Sequence, residues 1–167
     1  RMLDLAGTPF TETIWPRVKL DAFRWRMRSR RIDAVLWHIT GSGHASNPSR
    51  IEYTGTRNWF TNPNNHVTDP RFPDYAGMAH ALVGPQGICL VVDPDEIPAW
   101  SSHPSDEHAF SIEVALPTVD AIDYEPEADD LIANCVELAK WAHQRWNIAP
   151  GRVYPTADTN WTGEAGH

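Results

Sequence analysis

The amino-acid sequence predicts an α/β domain in which one mixed β-sheet is flanked by helices. Three observations carry that prediction. Short apolar runs of strand length alternate with helical patterns along the chain. Two of those runs flank the turn signal "GPQG", so one strand pair is a hairpin. The 167 residues are enough for a single domain with its own core.

The elements follow in order. "AFRWRMRSRR" is compatible with a short helix that leads into "IDAVLWHIT", Ile32 to Thr40, an apolar run of strand type. "GSGHASNPSR" is a turn and loop, and "RIEYTGTRNWFTNP" holds a helical turn or two before Pro63. "NPNNHVTDPRFPDYAG" is rich in Pro, Asn and Asp and predicts an irregular loop. Met78–Val92 predicts a β-hairpin, with Pro85 and Gly87 at the second and last positions of its turn. "DPDEIPAWSSHPSDEH" is a further loop. "AFSIEVAL", Ala109 to Leu116, is a third strand. The clearest helix starts near Pro126, with Glu125, Glu127, Asp129 and Asp130 suited to the positive end of its dipole. Leu131, Cys135, Leu138, Ala139 and Ala142 give it one apolar face, and Pro150 with Gly151 is the expected stop. "YPTADTNWTGEAGH" is expected to be loop. Residues 1–30 are thus a lead-in with a short helix, and 31–167 the main domain.

Composition excludes some functions. A formal charge of -8 leaves no basic surplus for a general nucleic-acid binder. The local run "RWRMRSRR", Arg24 to Arg31, is either a patch for an anionic polymer or a solvated helix face. Cys89 and Cys135 lie in apolar surroundings without a CxxC partner, and are expected to be small buried hydrophobes. No stretch is apolar for long enough to span a bilayer, and nothing near Arg1 resembles a signal peptide. The expectation is a processed product or a piece of a longer polypeptide.

Three ionisable residues stand out by position. His38 lies near the end of a strand, Glu113 inside a strand between Ile112 and Val114, and His167 after "GEAG". Each has an ordinary reading: a rim histidine, or an outward carboxylate on a half-exposed strand. Together they suit a different chemistry. Two imidazoles distant in sequence can meet where strand ends and loops converge. A catalytic zinc takes about three protein ligands and leaves one position open. A carboxylate nearby can move a proton from water to a leaving amine. Spacing alone does not establish that set, because no HExxH-like motif is present.

Over Ile32 to His167 the chain resembles the zinc-dependent N-acetylmuramoyl-L-alanine amidases of the type-2 fold, the group that includes phage endolysins and the peptidoglycan recognition proteins. "VLWHIT" resembles the family's strand ending in "HxT", "AHALVGPQGICLVVDPDEIPAW" its hairpin, "FSIEVAL" its "GIE" strand, and "AGH" its "GH". The resemblance implies that His38 and His167 are zinc ligands and that Glu113 is the catalytic carboxylate. The family's third ligand and a frequent lysine follow "GH", so they are expected beyond the end of this chain. Ser101 stands where members often have His, with His103 close by as a possible substitute.

The resemblance further implies Zn2+ as cofactor, peptidoglycan as partner, and hydrolysis of the amide between N-acetylmuramic acid and L-alanine. It places the action at the cell wall, most like an endolysin domain. The loops over Gly41–Gly77 and Pro94–His108 would wall the groove, with Trp59, His80, Trp100 and His103 as candidate substrate contacts. Two alternatives remain open: a non-catalytic peptidoglycan-binding module of the same fold, and an α/β interaction domain in which His38 and Glu113 are structural.

Overall fold

A computed structural model of the chain describes residues 5–14, 28–41, 46–61, 79–99, 107–149 and the backbone of 163–166. The elements are β1 (Glu12–Thr13), β2 (Ala34–Ile39), α1 (Ser49–Thr61), β3 (Ala81–Gly84), β4 (Gly87–Leu90), β5 (Ala109–Val114), a 3-10 helix (Val119–Tyr124), α2 (Ala128–Trp146) and β6 (Gly163–Gly166). Six strands form one sheet in the order β1-β4-β3-β5-β2-β6. Among the described residues β3 and β4 pair antiparallel, and β1–β4, β3–β5, β5–β2 and β2–β6 are parallel. The mixed α/β sheet flanked by helices is the predicted fold.

Strand alternation sorts the side chains onto two faces. Val35, Ala81, Val83, Ile88, Leu90, Phe110 and Ile112 face α2 and pack with its Leu131, Leu138, Ala142 and Trp146. Aromatic edges close this layer: Phe110 lies 4.9 Å from Trp146, and Trp141 meets Phe10 edge-on at 5.1 Å. On the other face Leu82 and Cys89 pack with Tyr53 and Phe60 of α1.

The hairpin forms as the sequence predicts, with Gly84 paired to Gly87 across Pro85 and Gln86. Gly87 adopts φ 144, and a Cβ there would collide with the Thr11 side chain. Thr11 uses that space: its N–H donates to Ile88 O, and its hydroxyl accepts from Ile88 N at 3.0 Å. This is how β1, in a stretch read only as a lead-in, becomes an edge strand.

Two elements differ from expectation, and α2 ends within the expected stretch for a local reason. α1 runs for 13 residues, not a turn or two. Its low apolar content hides it, but its inward positions Tyr53 and Phe60 are two turns apart. α2 stops before Pro150, because Asn147 takes the left-handed conformation (φ 53) and both Asn147 N–H and Ile148 N–H return to the His143 carbonyl. The tail expected to be loop contains β6, whose Gly163, Glu164, Ala165 and Gly166 pair with Ala34, Val35, Leu36 and Trp37. Strand propensity is poor there, and the exposed backbone groups of β2 supply the ordering instead.

The proposed lead-in helix falls largely on residues outside the described set. Its described end, Arg28 to Arg31, is not helical. Arg28 is committed to the fold: its guanidinium donates to the carbonyls of Pro94 (2.7 Å) and Glu107 (2.6 Å). Arg31 donates to Trp146 O, at the negative end of α2. These two members of the basic run therefore serve packing. Cys89 and Cys135 are free thiols, and burial pushes both up to about 12. Cys135 is half-buried and lines a shallow apolar cleft with Trp37, Val136 and Ala139. Among the described residues no helix is long and apolar enough to cross a membrane.

Candidate functional site

Strand register builds one continuous row across the α1 face. Glu12 pairs with Cys89, Cys89 with Leu82, Leu82 with Glu113, and Glu113 with His38. Register partners point to the same face of a sheet. α1 covers the first part of the row, so Cys89 and Leu82 are fully buried. Glu113 and His38, at the other end, are only partly covered. The row therefore passes from the core under α1 to the partly covered Glu113 and His38.

Glu113 is the more unusual of the two. Its Oε2 is buried and has no hydrogen-bond partner among the described residues. Burial pushes its carboxyl up to about 8. A structural carboxylate in a sheet acquires a basic partner or a cluster of donors; this one sits between an apolar leucine and an imidazole. The ordinary reading, a residue turned to bulk water on an outward face, does not describe it.

β6 brings the tail to the same place. Gly166 pairs with Trp37, the residue before His38. His167 is next in sequence but lies outside the described residues, as do Trp100 and His103. Among the described residues no group of three His, Cys, Asp or Glu could hold a metal ion.

The other candidates separate. Trp59 lies on α1, half-buried, edge-on to Phe60 at 5.6 Å and packed on the α1-side core. His80 is wholly buried and has no surface to offer a substrate, which replaces the expected substrate contact with a structural role. Its Nδ1 accepts from Ser111 N–H at 2.9 Å, so Nε2 bears the ring proton and donates to Ile97 O at 2.9 Å. The Arg28 Nη2 that lies 3.0 Å from Nε2 is then a second donor directed at the same carbonyl region. Burial, reinforced by the Arg28 charge, pushes His80 down to about 3 and keeps it neutral.

One pair of residues at the rim was not foreseen. Thr40 Oγ1 lies 3.0 Å from Glu52 Oε2, and Asn47 Nδ2 donates to Glu52 Oε1 at 3.0 Å. Glu52 is 5% exposed. The available signal was the threonine of "HIT", two residues after His38 and so on its face.

No protein-family model matches the chain, and no curated protein matches it. Among solved structures its fold is similar to that of the hydrolase AmiA of Staphylococcus aureus, determined in complex with its ligand, with a TM-score of 0.52. The two share 15% identity over 81% of this chain and 55% of that one. The chain thus spans about half the length of this structural neighbour and shares its fold.

Proposed function

We propose that the chain is a cell-wall hydrolase domain that cleaves the amide between N-acetylmuramic acid and L-alanine in peptidoglycan. The observation that carries the reading is the register of His38 with Glu113 at the open end of a buried row. The similarity in fold to a hydrolase supports it, and so does the sequence resemblance to zinc amidases.

The donor chemistry fits zinc in part. His38 supplies one imidazole at the groove, and β6 runs beside β2 up to the residue before His167. In this reading His38 and His167 would hold the metal, with a third ligand from outside the described residues. Zinc, when bound, supplies Lewis acidity, polarising a carbonyl and acidifying water. The chain's own part is proton transfer and substrate positioning. In its ionised form Glu113, whose Oε2 is free of hydrogen bonds among the described residues, would take a proton from the attacking water and deliver it to the leaving nitrogen. α1, within the 41–77 stretch, would form one wall of the groove, and Trp59, with Trp100 and His103 from the 94–108 loop, would meet sugar or peptide. Action at the cell wall belongs to the same proposal.

The test is release of new L-alanine N-termini from purified peptidoglycan by zinc-loaded full-length protein. Release that depends on Glu113 supports an amidase. Binding to peptidoglycan without release, on several chemotypes, replaces it with a binding module.

A further inference from the structure

We infer that Glu52 is a positioning residue: through the Thr40 hydroxyl it fixes the end of β2 that carries His38, and so sets the gap between α1 and the Glu113–His38 pair. Its consequence for turnover rests on the function proposed above; the mechanical tie does not.

The chemistry of the position is the starting point. A carboxylate at 5% exposure is costly unless its oxygens are hydrogen-bonded, and an apolar residue would fill the same space at less cost. What an apolar residue lacks is the ability to join separate pieces of chain. Among the described residues Glu52 joins three: α1, where it sits in the first turn; Asn47, in the connector before α1; and Thr40, just past β2. A first-turn carboxylate is also favoured by the helix dipole.

Thr40 is well placed to transmit the constraint. Its N–H donates to Val114 O at 3.0 Å and Gly41 N–H to Leu116 O at 3.1 Å, so the β2–β5 ladder continues past Ile39 and ends there. The hydroxyl lies 3.0 Å from both Glu52 Oε2 and Leu116 O, and has one proton to give. A carboxylate is the stronger acceptor. By alternation the Thr40 side chain stands on the His38 face, toward α1.

Other described contacts of α1 lead elsewhere. Tyr53 and Arg57 bind Glu12 on β1, Arg50 pairs with Glu127, and Ser49 N–H donates to Glu125. Losing the Thr40 contact therefore leaves α1 attached to the domain and loosens its tie to the end of β2.

Three variants of the full-length protein test this: Thr40→Val, which keeps shape and removes the hydroxyl; Thr40→Ser, which keeps the hydroxyl; and Glu52→Met, which keeps length without the acceptor. Two readouts are taken, kcat and KM for L-alanine N-terminus release, and the NMR linewidth of the 13C-labelled His38 ring. The expected result is a fall in kcat of roughly ten- to a hundredfold for Thr40→Val and Glu52→Met, with KM nearly unchanged, because misplacement by about 1 Å costs on that order. The His38 signal broadens in both, and Thr40→Ser behaves like wild type. Unchanged kcat and an unchanged His38 signal in the folded variants overturn the inference, as does an effect confined to KM. If wild type releases no N-termini, the proposed function falls and the NMR decides alone: broadening in Thr40→Val but not Thr40→Ser sustains the tie, and no difference removes it. Should Thr40→Val fail to fold, Glu52→Met carries the same comparison.

Discussion

His38 and Glu113 are register partners on adjacent parallel strands, on the face of the sheet where the α1 cover ends. Neighbouring strands lie about 4.8 Å apart, so the two side chains leave the sheet side by side. They differ in what they can do. An imidazole on a rigid strand is suited to hold something, and a carboxyl whose Oε2 has no hydrogen-bond partner among the described residues is suited to exchange a proton.

That difference makes their roles separable. Glu113→Gln in the full-length protein should keep the fold and the zinc content and lose ~10²–10⁴-fold in turnover, the usual contribution of a general acid/base. His38→Ala should lower the zinc content itself, since it removes a ligand. Zinc stoichiometry and L-alanine N-terminus release are measured together. Near wild-type turnover in Glu113→Gln would take it out of the mechanism, and unchanged zinc in His38→Ala would take the metal away from β2.

The end of α2 gives a stability prediction. Asn147 is exposed and holds φ 53 and ψ 47, where a Cβ is tolerated poorly except in asparagine. Asn147→Ala should destabilise the domain by about 1–2 kcal/mol, while Asn147→Gly should be close to neutral. Urea unfolding of the two variants decides it. Equal stabilities would mean that the helix end is held by something other than this residue's backbone.

Arg28 gives another. Its guanidinium joins the chain before and after the 98–106 segment by donating to Pro94 O, Ile97 O, Glu107 O and Ala109 O. Arg28→Ala leaves those carbonyls to find other donors and should cost on the order of 3 kcal/mol. Arg28→Lys should recover less than half, because a point-like ammonium cannot span the fork. Recovery of full stability by lysine would show that charge, not fork geometry, is what the site needs.

What was legible in the sequence follows from the range of the interactions involved. The hairpin and α2 are written in local chemistry: a Pro-Gln turn between glycines, and an apolar face repeating at helical spacing. β1 and β6 are not, because two residues of "ET" and four of "GEAG" become strands only when β4 and β2 offer open edges. The His38–Glu113 pair was reachable only through resemblance, since register between strands 75 residues apart is a tertiary fact. His80 misled for the same reason: a histidine before a strand reads alike whether it faces substrate or is stacked on Phe110 at 5.6 Å. Glu52 was hidden because an acid in a first helical turn looks like a dipole complement, and its burial against Thr40 appears only once α1 is laid on the sheet.

His80 also ties stability to pH. Its ordinary value of 6.5 falls to about 3 in the folded protein, through burial first and the Arg28 charge second. The unfolded chain therefore binds this proton at a higher pH than the native state does. Stability from the neutral ring is fully present above about pH 6.5 and is lost as pH falls from there toward 3. Within that window one proton contributes a slope of ~1.4 kcal/mol per pH unit. Glu113, raised by burial from 4.5 to about 8, contributes with the opposite sign over this range in both proteins, and below about pH 5 other carboxylates add their own terms, so the difference between wild type and variant from 6.5 to 5 is the informative quantity. His80→Asn keeps an acceptor for Ser111 N–H but cannot titrate. It should be less stable than wild type at pH 7, from the smaller side chain, and the gap between the two curves should narrow as pH falls over that interval. Urea unfolding at half-unit pH steps measures both curves. Parallel curves for the two proteins would show that His80 is not the titrating group.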